Sequence, residues 1–125
     1  TMLESLPKNA ELYFAQYQGR TLAGLIKTTF KDTATYYYGA SSNSDRNLMA
    51  PYLLQWQVIK DCKAAGFKTY DFLGIAPEGI RSHPWAGVTS FKTKFGGQRK
   101  NYAKAQETPF KKLLYWLYKI YKFVL

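Results

Sequence analysis

Two segments of the sequence carry side chains that could take part in chemistry. Phe91 and Lys92 begin a segment of aromatic and basic residues, and Tyr36 and Tyr38 lie in a run of three tyrosines. Tyr36 and Tyr38 are two residues apart, so on a β-strand they should share one face, where a phenol hydroxyl can orient an amine or an ester. A lysine ammonium can stabilise an oxygen that becomes negative, and an aromatic ring can stack on a single-stranded base.

Each of these residues also has a purely structural interpretation. Tyrosines are common in half-buried strands, where they simply pack. A lysine between two phenylalanines, as Lys92 is between Phe91 and Phe95, is typical of the wet face of an amphipathic segment. Asp71 has apolar neighbours that could raise its pKa toward that of a useful base, but we expect a structural acid, hydrogen-bonded to the backbone at the end of a strand. These residue types do not by themselves select a reaction.

Other kinds of catalytic site find little support. His83 is the only histidine, and no Cys or carboxylate stands at metal-ligand spacing from it, so we expect neither a zinc site nor a catalytic triad. The G-x-x-x-x-G-K pattern of a phosphate-binding loop is absent around Gly96 and Gly97, which leaves a nucleotide hydrolase unsupported.

Charge and composition restrict the class of protein and its partners. Eighteen Lys and Arg against eight Asp and Glu give a net charge of +10, which attracts RNA, anionic lipid or a phosphorylated substrate, although many small basic domains carry such charge only for solubility. The single Cys62 excludes an internal disulfide and favours a reducing compartment. No signal peptide and no apolar run of about 18 residues is present. Thr1 stands where an initiator Met is expected, which suggests part of a longer protein.

The elements that must position these residues can be predicted from hydrophobic periodicity. Alternating β-branched and aromatic residues predict an antiparallel meander of three strands, over 11–17, 21–30 and 33–40. The helical period predicts a helix over 50–65, with Pro51 in its first turn and Gly66 ending it. A short buried strand over 68–74, a loop over 75–88 and a short helix or bulged turn over 89–95 follow.

The last quarter of the chain should contain a strand and a helix. Residues 98–106 are predicted to form a final strand. Thr108 and Pro109 form an N-cap and first-turn pair for a last helix. Its apolar stripe is Leu113, Trp116, Leu117, Ile120 and Val124. This stripe should cover the sheet or a missing domain, or else lie at a membrane surface through residues 109–125. The whole chain, 1–125, is expected to form one α+β domain.

Four ordered motifs resemble those of the FemABX family of peptidoglycan interpeptide bridge aminoacyltransferases. The likeness extends over about Glu11 to Tyr118. Its motifs are Tyr36-Tyr-Tyr-Gly-Ala-Ser-Ser-Asn43, then Arg46-Asn-Leu-Met49 with Ala50-Pro-Tyr-Leu-Leu-Gln-Trp56, then Tyr70-Asp-Phe-Leu-Gly-Ile75, and finally Phe91-Lys-Thr-Lys-Phe-Gly-Gly97, which resembles the family's F-K-x-x-F-G segment.

The resemblance implies a fold and an activity. The fold would be GNAT-like (acyl-CoA N-acyltransferase-like), with a mixed, mainly antiparallel sheet flanked by helices, and this chain would be the second half of a two-domain protein. The activity would be transfer of an amino acid from aminoacyl-tRNA to an amine of the stem peptide of UDP-MurNAc-pentapeptide or a lipid-linked precursor. No metal, nucleotide or acetyl-CoA would be needed, and the protein would be cytoplasmic, at most peripheral at the inner face of the membrane.

The resemblance also implies roles for four residues. Lys92 would be catalytic, contacting the tRNA end and stabilising the developing charge, with Tyr38 as a second catalytic residue. Phe91 and Tyr36 would bind the substrate or the tRNA end. The family's proposed base lies in its first domain, so Asp71 receives no such role.

Two alternatives stay open at this point. An acetyl-CoA-dependent N-acetyltransferase would share the fold, but residues 39–46 lack the Q/R-x-x-G-x-G/A pattern whose backbone N–H groups would hold pyrophosphate. A non-catalytic basic half-domain that binds RNA or a membrane would equally explain the charge and the aromatic residues.

Overall fold

The computed structural model describes residues 2–80, 82–103 and 106–124. Its contacts divide the chain into two units, 1–95 and 96–125, which we describe separately. The first unit contains, in chain order, α1 (Met2–Ser5), β1 (Ala10–Tyr17), β2 (Arg20–Phe30), β3 (Thr33–Ser41), a 3₁₀ turn (Arg46–Leu48), α2 (Ala50–Ala64), β4 (Thr69–Asp71) and α3 (Ala86–Thr93).

The first unit is built on one four-stranded sheet in the order β1-β2-β3-β4. The first three strands form the predicted antiparallel meander, and β4 pairs parallel to the start of β3. Helix α2 makes the crossover between β3 and β4 and packs on the meander, as a parallel connection requires. The buried core between them is Leu22, Ala23, Leu25, Ala34, Ala50, Leu54, Val58 and Cys62.

A β-bulge between β2 and β3 corrects the prediction that Tyr36 and Tyr38 share a face. Tyr36 pairs with Lys27 and Tyr38 pairs with Ile26, so Tyr37 is the extra residue. Directly paired residues share a face, whereas the neighbours Ile26 and Lys27 point to opposite faces. Tyr36 therefore faces α2 with the core, and Tyr38 faces the other side of the sheet. A strict period of two fails wherever a bulge adds one residue.

Strand β4 is shorter than predicted because a turn ends it. The Asp71 carboxylate accepts a hydrogen bond from the Leu73 N–H at 2.8 Å, and Leu73 has a φ of +57°. A left-handed residue cannot continue a strand, so pairing stops at Asp71 instead of running on to Gly74. The predicted structural role of Asp71, bonded to the backbone at the strand's end, is confirmed.

Helices α2 and α3 follow the predicted order with small shifts of their boundaries, whereas α1 was not predicted. Helix α2 ends at Ala64, and Gly66 follows with a φ of +84°, the conformation for which glycine was expected at this helix end. Helix α3 begins at Ala86, three residues before the predicted segment, and ends at Thr93.

The second unit contains α4 (Lys112–Val124). It departs from the prediction in the segment expected to be a strand and at the start of the helix. Residues 98–103 and 106 form no strand; residues 104 and 105 of that prediction lie outside the described residues. Gly96 and Gly97 both have positive φ, which turns the chain away from an extended course. A bend at Phe110 and Lys111 separates Pro109 from the helix, so α4 begins at Lys112.

Helix α4 exposes the apolar stripe that its periodicity predicted. Leu113, Trp116, Leu117 and Ile120 are all exposed, whereas the side chain of Val124 lies outside the described part. Lys119 pairs with Glu107 at 3.5 Å, and the Tyr115 hydroxyl is hydrogen-bonded to the same carboxylate. Among the described residues no helix is long and apolar enough to cross a membrane.

Candidate functional site

A cleft of about 580 Å³ opens in the first unit at the N-terminal end of α2. Its walls come from the middle of β2, the end of β3, the segment leading into α2 and one face of α3. Two residues of the leading segment, Asp45 and Met49, hold left-handed backbones, and Asp45 forms an ion pair with Arg20 at 3.0 Å. Among the side chains that line this cleft are those of Tyr36, Tyr52, Gln55 and Phe91.

Lys92, the first of the predicted catalytic residues, is half-buried and held in one place. Its Nζ donates a hydrogen bond to the Gly74 carbonyl oxygen at 2.9 Å and lies 5.6 Å from the centroid of the Tyr36 ring. Loss of contact with water lowers the pKa of Lys92, and the nearby charge of Asp71 opposes this shift. The ammonium is therefore turned toward β3 and the end of β4, beside the residues that line the cleft.

Tyr36 lies between Lys92 and the aromatic residues of the core. Its ring meets Phe72 edge-on, with the two centroids 6.4 Å apart. Burial raises the pKa of Tyr36, so its hydroxyl stays protonated at neutral pH and can both donate and accept hydrogen bonds. A cation above the face of a tyrosine ring is attracted by the ring quadrupole, so the Tyr36 ring is a favourable neighbour for the Lys92 ammonium.

Phe91 belongs to an aromatic cluster at the end of α3. It meets Tyr52 edge-on at 4.8 Å and Phe95 edge-on at 5.4 Å, while Phe95 stacks on Phe72 at 5.4 Å. Phe91 also lines the cleft, so the same ring contributes to packing and to the wall of the candidate site. The structural and the functional interpretations of Phe91 are thus compatible.

Tyr38 is not brought together with the other three residues. It is 66% exposed, and its ring meets that of Tyr37 at 5.1 Å. The bulge directs it away from the α2 side of the sheet, where Tyr36 and the cleft lie. The catalytic role of Tyr38 stays a prediction without a neighbouring site residue to support it.

Two residues of the quoted motifs that had been assigned no role make contacts at the site. The Gly74 carbonyl is the partner of Lys92, and buried Gln55 donates a hydrogen bond to the Tyr70 hydroxyl at 3.0 Å on the floor of the cleft. Periodicity did not indicate Gln55, because the apolar spacing in this helix includes Leu53 and Trp56, which are exposed, whereas α2 buries Leu54, Gln55 and Val58. The Gly74 carbonyl gave no signal in the sequence either, since every residue has a backbone carbonyl. The described residues contain no group of three or more His, Cys, Asp or Glu that could hold a metal ion.

Comparison with known proteins places the chain in a family. The FemAB family matches residues 3–122, which is nearly the whole chain. The chain belongs to the FemAB family. Aminoacyltransferase FemB of Staphylococcus epidermidis is 29% identical over 83 residues, which are 66% of this chain and 20% of FemB. Lipid II:glycine glycyltransferase of the same species (strain ATCC 35984) is 29% identical over 86 residues, 69% of this chain and 21% of that enzyme.

Solved structures confirm the fold of this FemAB-family chain. The crystal structure of FemX superposes with a TM-score of 0.55 at 25% identity, over 73% of this chain and 20% of FemX. An aminoglycoside acetyltransferase from an uncultured soil sample superposes with a TM-score of 0.60 at 11% identity, over 83% of this chain and 68% of the other. At that identity the second likeness shows the fold alone, which is the predicted GNAT-like α+β fold. The chain spans about a fifth of the length of the curated relatives it matches.

Proposed function

We propose that this chain is the second domain of a transferase that moves an amino acid from aminoacyl-tRNA to an amine of the peptidoglycan precursor stem peptide. Family membership supports the aminoacyltransferase class, since FemB and lipid II:glycine glycyltransferase are named for such transfers. The single observation that carries the chemistry is the half-buried Lys92 ammonium, fixed between the Gly74 carbonyl and the Tyr36 ring beside the cleft.

The proposed reaction is aminolysis of an ester. The acceptor nitrogen attacks the ester carbonyl carbon, and the carbonyl oxygen becomes negative in the tetrahedral intermediate. The intermediate collapses by expelling the ribose oxygen of the tRNA, and the proton lost by the attacking nitrogen is taken up by that oxygen. A preorganised cation near the negative oxygen lowers the barrier, because in a partly dehydrated site its charge acts at higher strength than in water. Lys92 is the cation we assign to this task.

The tRNA end would be held by charge and stacking. The net charge of +10 favours RNA through phosphate neutralisation. Phe91, at the wall of the cleft, offers an aromatic ring to the terminal base, and base stacking of this kind tolerates a single-stranded end. Tyr36 would bind the substrate through its protonated hydroxyl. We keep Tyr38 as a weaker catalytic candidate that contacts substrate from the opposite face of the sheet.

A partner domain is part of the proposal. The precursor, UDP-MurNAc-pentapeptide or its lipid-linked form, would be bound largely by a preceding GNAT-like domain, in keeping with the greater length of the relatives. We propose that this domain also covers the apolar stripe of α4. The alternative cover is an anionic membrane surface, toward which Lys111, Lys112, Lys119 and Lys122 would point their charge. Sedimentation of the complete protein with phosphatidylglycerol vesicles but not with phosphatidylcholine vesicles would favour the membrane.

Single-turnover transfer tests the function directly. The complete protein is incubated with a panel of aminoacyl-tRNAs and both precursor forms, and the products are weighed by mass spectrometry. We expect one amino acid to be added, and we expect Lys92→Ala to lower the rate at least about tenfold, or roughly 1.4 kcal/mol of barrier. The matched control is Lys94→Ala, which removes an exposed lysine two residues further on that donates to the Tyr52 hydroxyl at 3.2 Å.

The remaining alternatives give different results in two further measurements. Stabilisation of the protein against heat by acetyl-CoA would favour an N-acetyltransferase. Equal, salt-dependent affinity for charged and uncharged tRNA with no product would favour a non-catalytic basic half-domain that binds RNA. If Lys92→Ala and Lys94→Ala both transfer at the rate of the parent protein, the proposed catalytic role of Lys92 is wrong.

A further inference from the structure

The segment that follows β4 contains a residue in an unfavourable backbone conformation. Leu73 has a φ of +57°, which costs free energy for any residue with a Cβ, so its surroundings must hold it there. The hydrogen bond from the Leu73 N–H to the Asp71 carboxylate, at 2.8 Å, closes the turn that contains it. Side-chain bonds of this kind are the means by which aspartate stabilises a turn two residues on.

The turn fixes the direction of the next peptide group. Gly74 follows Leu73 directly, and its carbonyl oxygen accepts the hydrogen bond from Lys92 Nζ at 2.9 Å. A Cβ at position 74 would lie 3.2 Å from the Trp85 ring, so that ring packs closely against Gly74. Two residues further on, the Ala76 N–H donates to the Thr89 hydroxyl at 2.8 Å. The segment is thus held by Trp85, the residue before α3, and by Thr89 within α3, on either side of the carbonyl that receives Lys92.

The bond to Gly74 leaves the lysine able to act on a substrate. An ammonium has three N–H donors, so one bond fixes its place without using its full capacity. Of the residues that the structure describes, two on other elements face this ammonium: Tyr36 on β3, whose ring centroid is 5.6 Å away, and Asp71 at the end of β4, whose carboxylate interacts with it through charge. Asp71 therefore affects Lys92 both through the turn and through its charge.

We propose that Asp71 is a positioning residue for Lys92: its carboxylate holds Leu73 in the left-handed conformation and thereby directs the Gly74 carbonyl at the lysine ammonium. Nothing in this arrangement requires Asp71 to touch a substrate. The expected effect of Asp71 on the transfer rate rests on the proposed transferase function, whereas its expected effect on the pKa of Lys92 does not.

Two substitutions distinguish the effect of Asp71 on the turn from the effect of its charge on Lys92. Asp71→Asn keeps an oxygen that can accept the Leu73 N–H but removes the negative charge, so the pKa of Lys92 should fall further. Asp71→Ala removes both the accepting oxygen and the negative charge. The turn should then relax and the Lys92 ammonium should regain contact with water. The pKa of Lys92 should therefore rise toward the ordinary lysine value. The pKa is measured in the complete protein without substrate, by NMR titration of the lysine ε-methylene signals, with Lys92→Arg used to assign the signal. Glu78→Gln, which removes an exposed carboxylate from the following loop, is the control and should change neither the turn nor the pKa of Lys92.

A second-site variant keeps the test decisive if Asp71→Ala folds poorly. Glycine adopts positive φ freely, so Leu73→Gly combined with Asp71→Ala should restore the turn without the carboxylate. The double variant should then show the lowered lysine pKa of Asp71→Asn. A downward shift in Asp71→Ala itself, or a double variant with a raised lysine pKa, would overturn the proposal and leave Asp71 as a charge alone.

Transfer rates give the second measurement. Asp71→Ala should slow single-turnover transfer about tenfold, because a small misplacement of a catalytic group is costly. At neutral pH Asp71→Asn and the double variant should stay within about threefold of the parent protein. If the parent protein transfers nothing, the transferase proposal fails while the titration still decides the role of Asp71.

Discussion

The phenol of Tyr36 lies across the α-carbon of Gly39 on the same strand. A Cβ at position 39 would overlap the Tyr36 hydroxyl and would lie 2.7 Å from the ring carbon that carries it. Residues three apart on a regular strand face opposite sides, so this contact exists only because the bulge at Tyr37 brings both residues to one face. Because Gly39 has no side chain, the glycine of the Tyr-Tyr-Tyr-Gly motif leaves the space that the Tyr36 phenol occupies.

Gly39→Ala should displace the Tyr36 ring and destabilise the first unit. We expect a loss of about 1–3 kcal/mol in the free energy of unfolding, as for other overpacked sites. The control is Gly87→Ala within α3, where a Cβ would meet nothing within 4 Å and the change should stabilise by about 0.5–1 kcal/mol. Urea unfolding followed by fluorescence compares the two. Equal stability of both variants would contradict the placement of Tyr36.

The lowered pKa of Lys92 predicts how transfer depends on pH. The protonated ammonium is the form that stabilises a negative oxygen, so the rate should fall as pH rises through the pKa of Lys92. Because loss of water contact depresses that pKa, the fall should begin below the pH at which an ordinary lysine titrates. Lys92→Arg keeps its charge at every accessible pH, so whatever activity it retains should lack this alkaline decline. A decline that persists in Lys92→Arg would belong to another group.

The bulge predicts unequal effects for the two tyrosines of the strand. Tyr36→Phe keeps the ring beneath Lys92 and removes only the hydroxyl, so it should reduce transfer less than Tyr36→Ala, which removes both. Tyr38→Phe should have a smaller effect than Tyr36→Ala because Tyr38 lies on the other face and is exposed. Single-turnover rates at saturating substrate make the comparison. A larger loss in Tyr38→Phe would show that substrate reaches the second face of the sheet.

A buried lysine makes the first unit sensitive to acid. Lys27 is 4% exposed, and its Nζ pairs with Glu11 at 2.7 Å across β1 and β2. The hydrogen bond from Lys27 holds the pKa of Glu11 below its ordinary value, so the pair stabilises the fold above the unfolded-state pKa of Glu11, about 4.3, and this contribution is lost as pH falls through the lower folded-state pKa.

Glu11→Gln should therefore destabilise the fold near neutral pH. Below about pH 4, the free energy of unfolding of this variant should depend less on pH than that of the parent protein. We expect about 1–2 kcal/mol, less than for a fully buried pair because the Glu11 side chain is 53% exposed. Urea unfolding at pH 7 and at pH 3 measures both effects, and Glu78→Gln, at an exposed carboxylate, is the control. A parallel loss of stability with acid in Glu11→Gln and in the parent protein would contradict this account of the pair.

Local patterns predicted most of the elements of the first unit. Alternation fixed β1, β2 and β3 to within about one residue, and the helical period with Pro51 and Gly66 fixed α2. These signals are local, because burial of one face imposes a period on the residues themselves. The strand predicted over 98–106 is absent at the described residues 98–103 and 106, where Tyr102 is the only residue of a type that favours strands and Lys and Asn disfavour them.

The residues alone established the α+β class, the order of β1, β2, β3, α2, β4 and α3, and the segments that carry Tyr36, Phe91 and Lys92. The packing of the elements sets Tyr36 and Tyr38 on opposite faces of the sheet, since a bulge depends on pairing with β2. It also decided that Lys92 meets the Gly74 carbonyl, 18 residues earlier in the chain. Periodicity indicates which side of an element is apolar, whereas the contact of a side chain with a distant peptide group depends on how the elements pack.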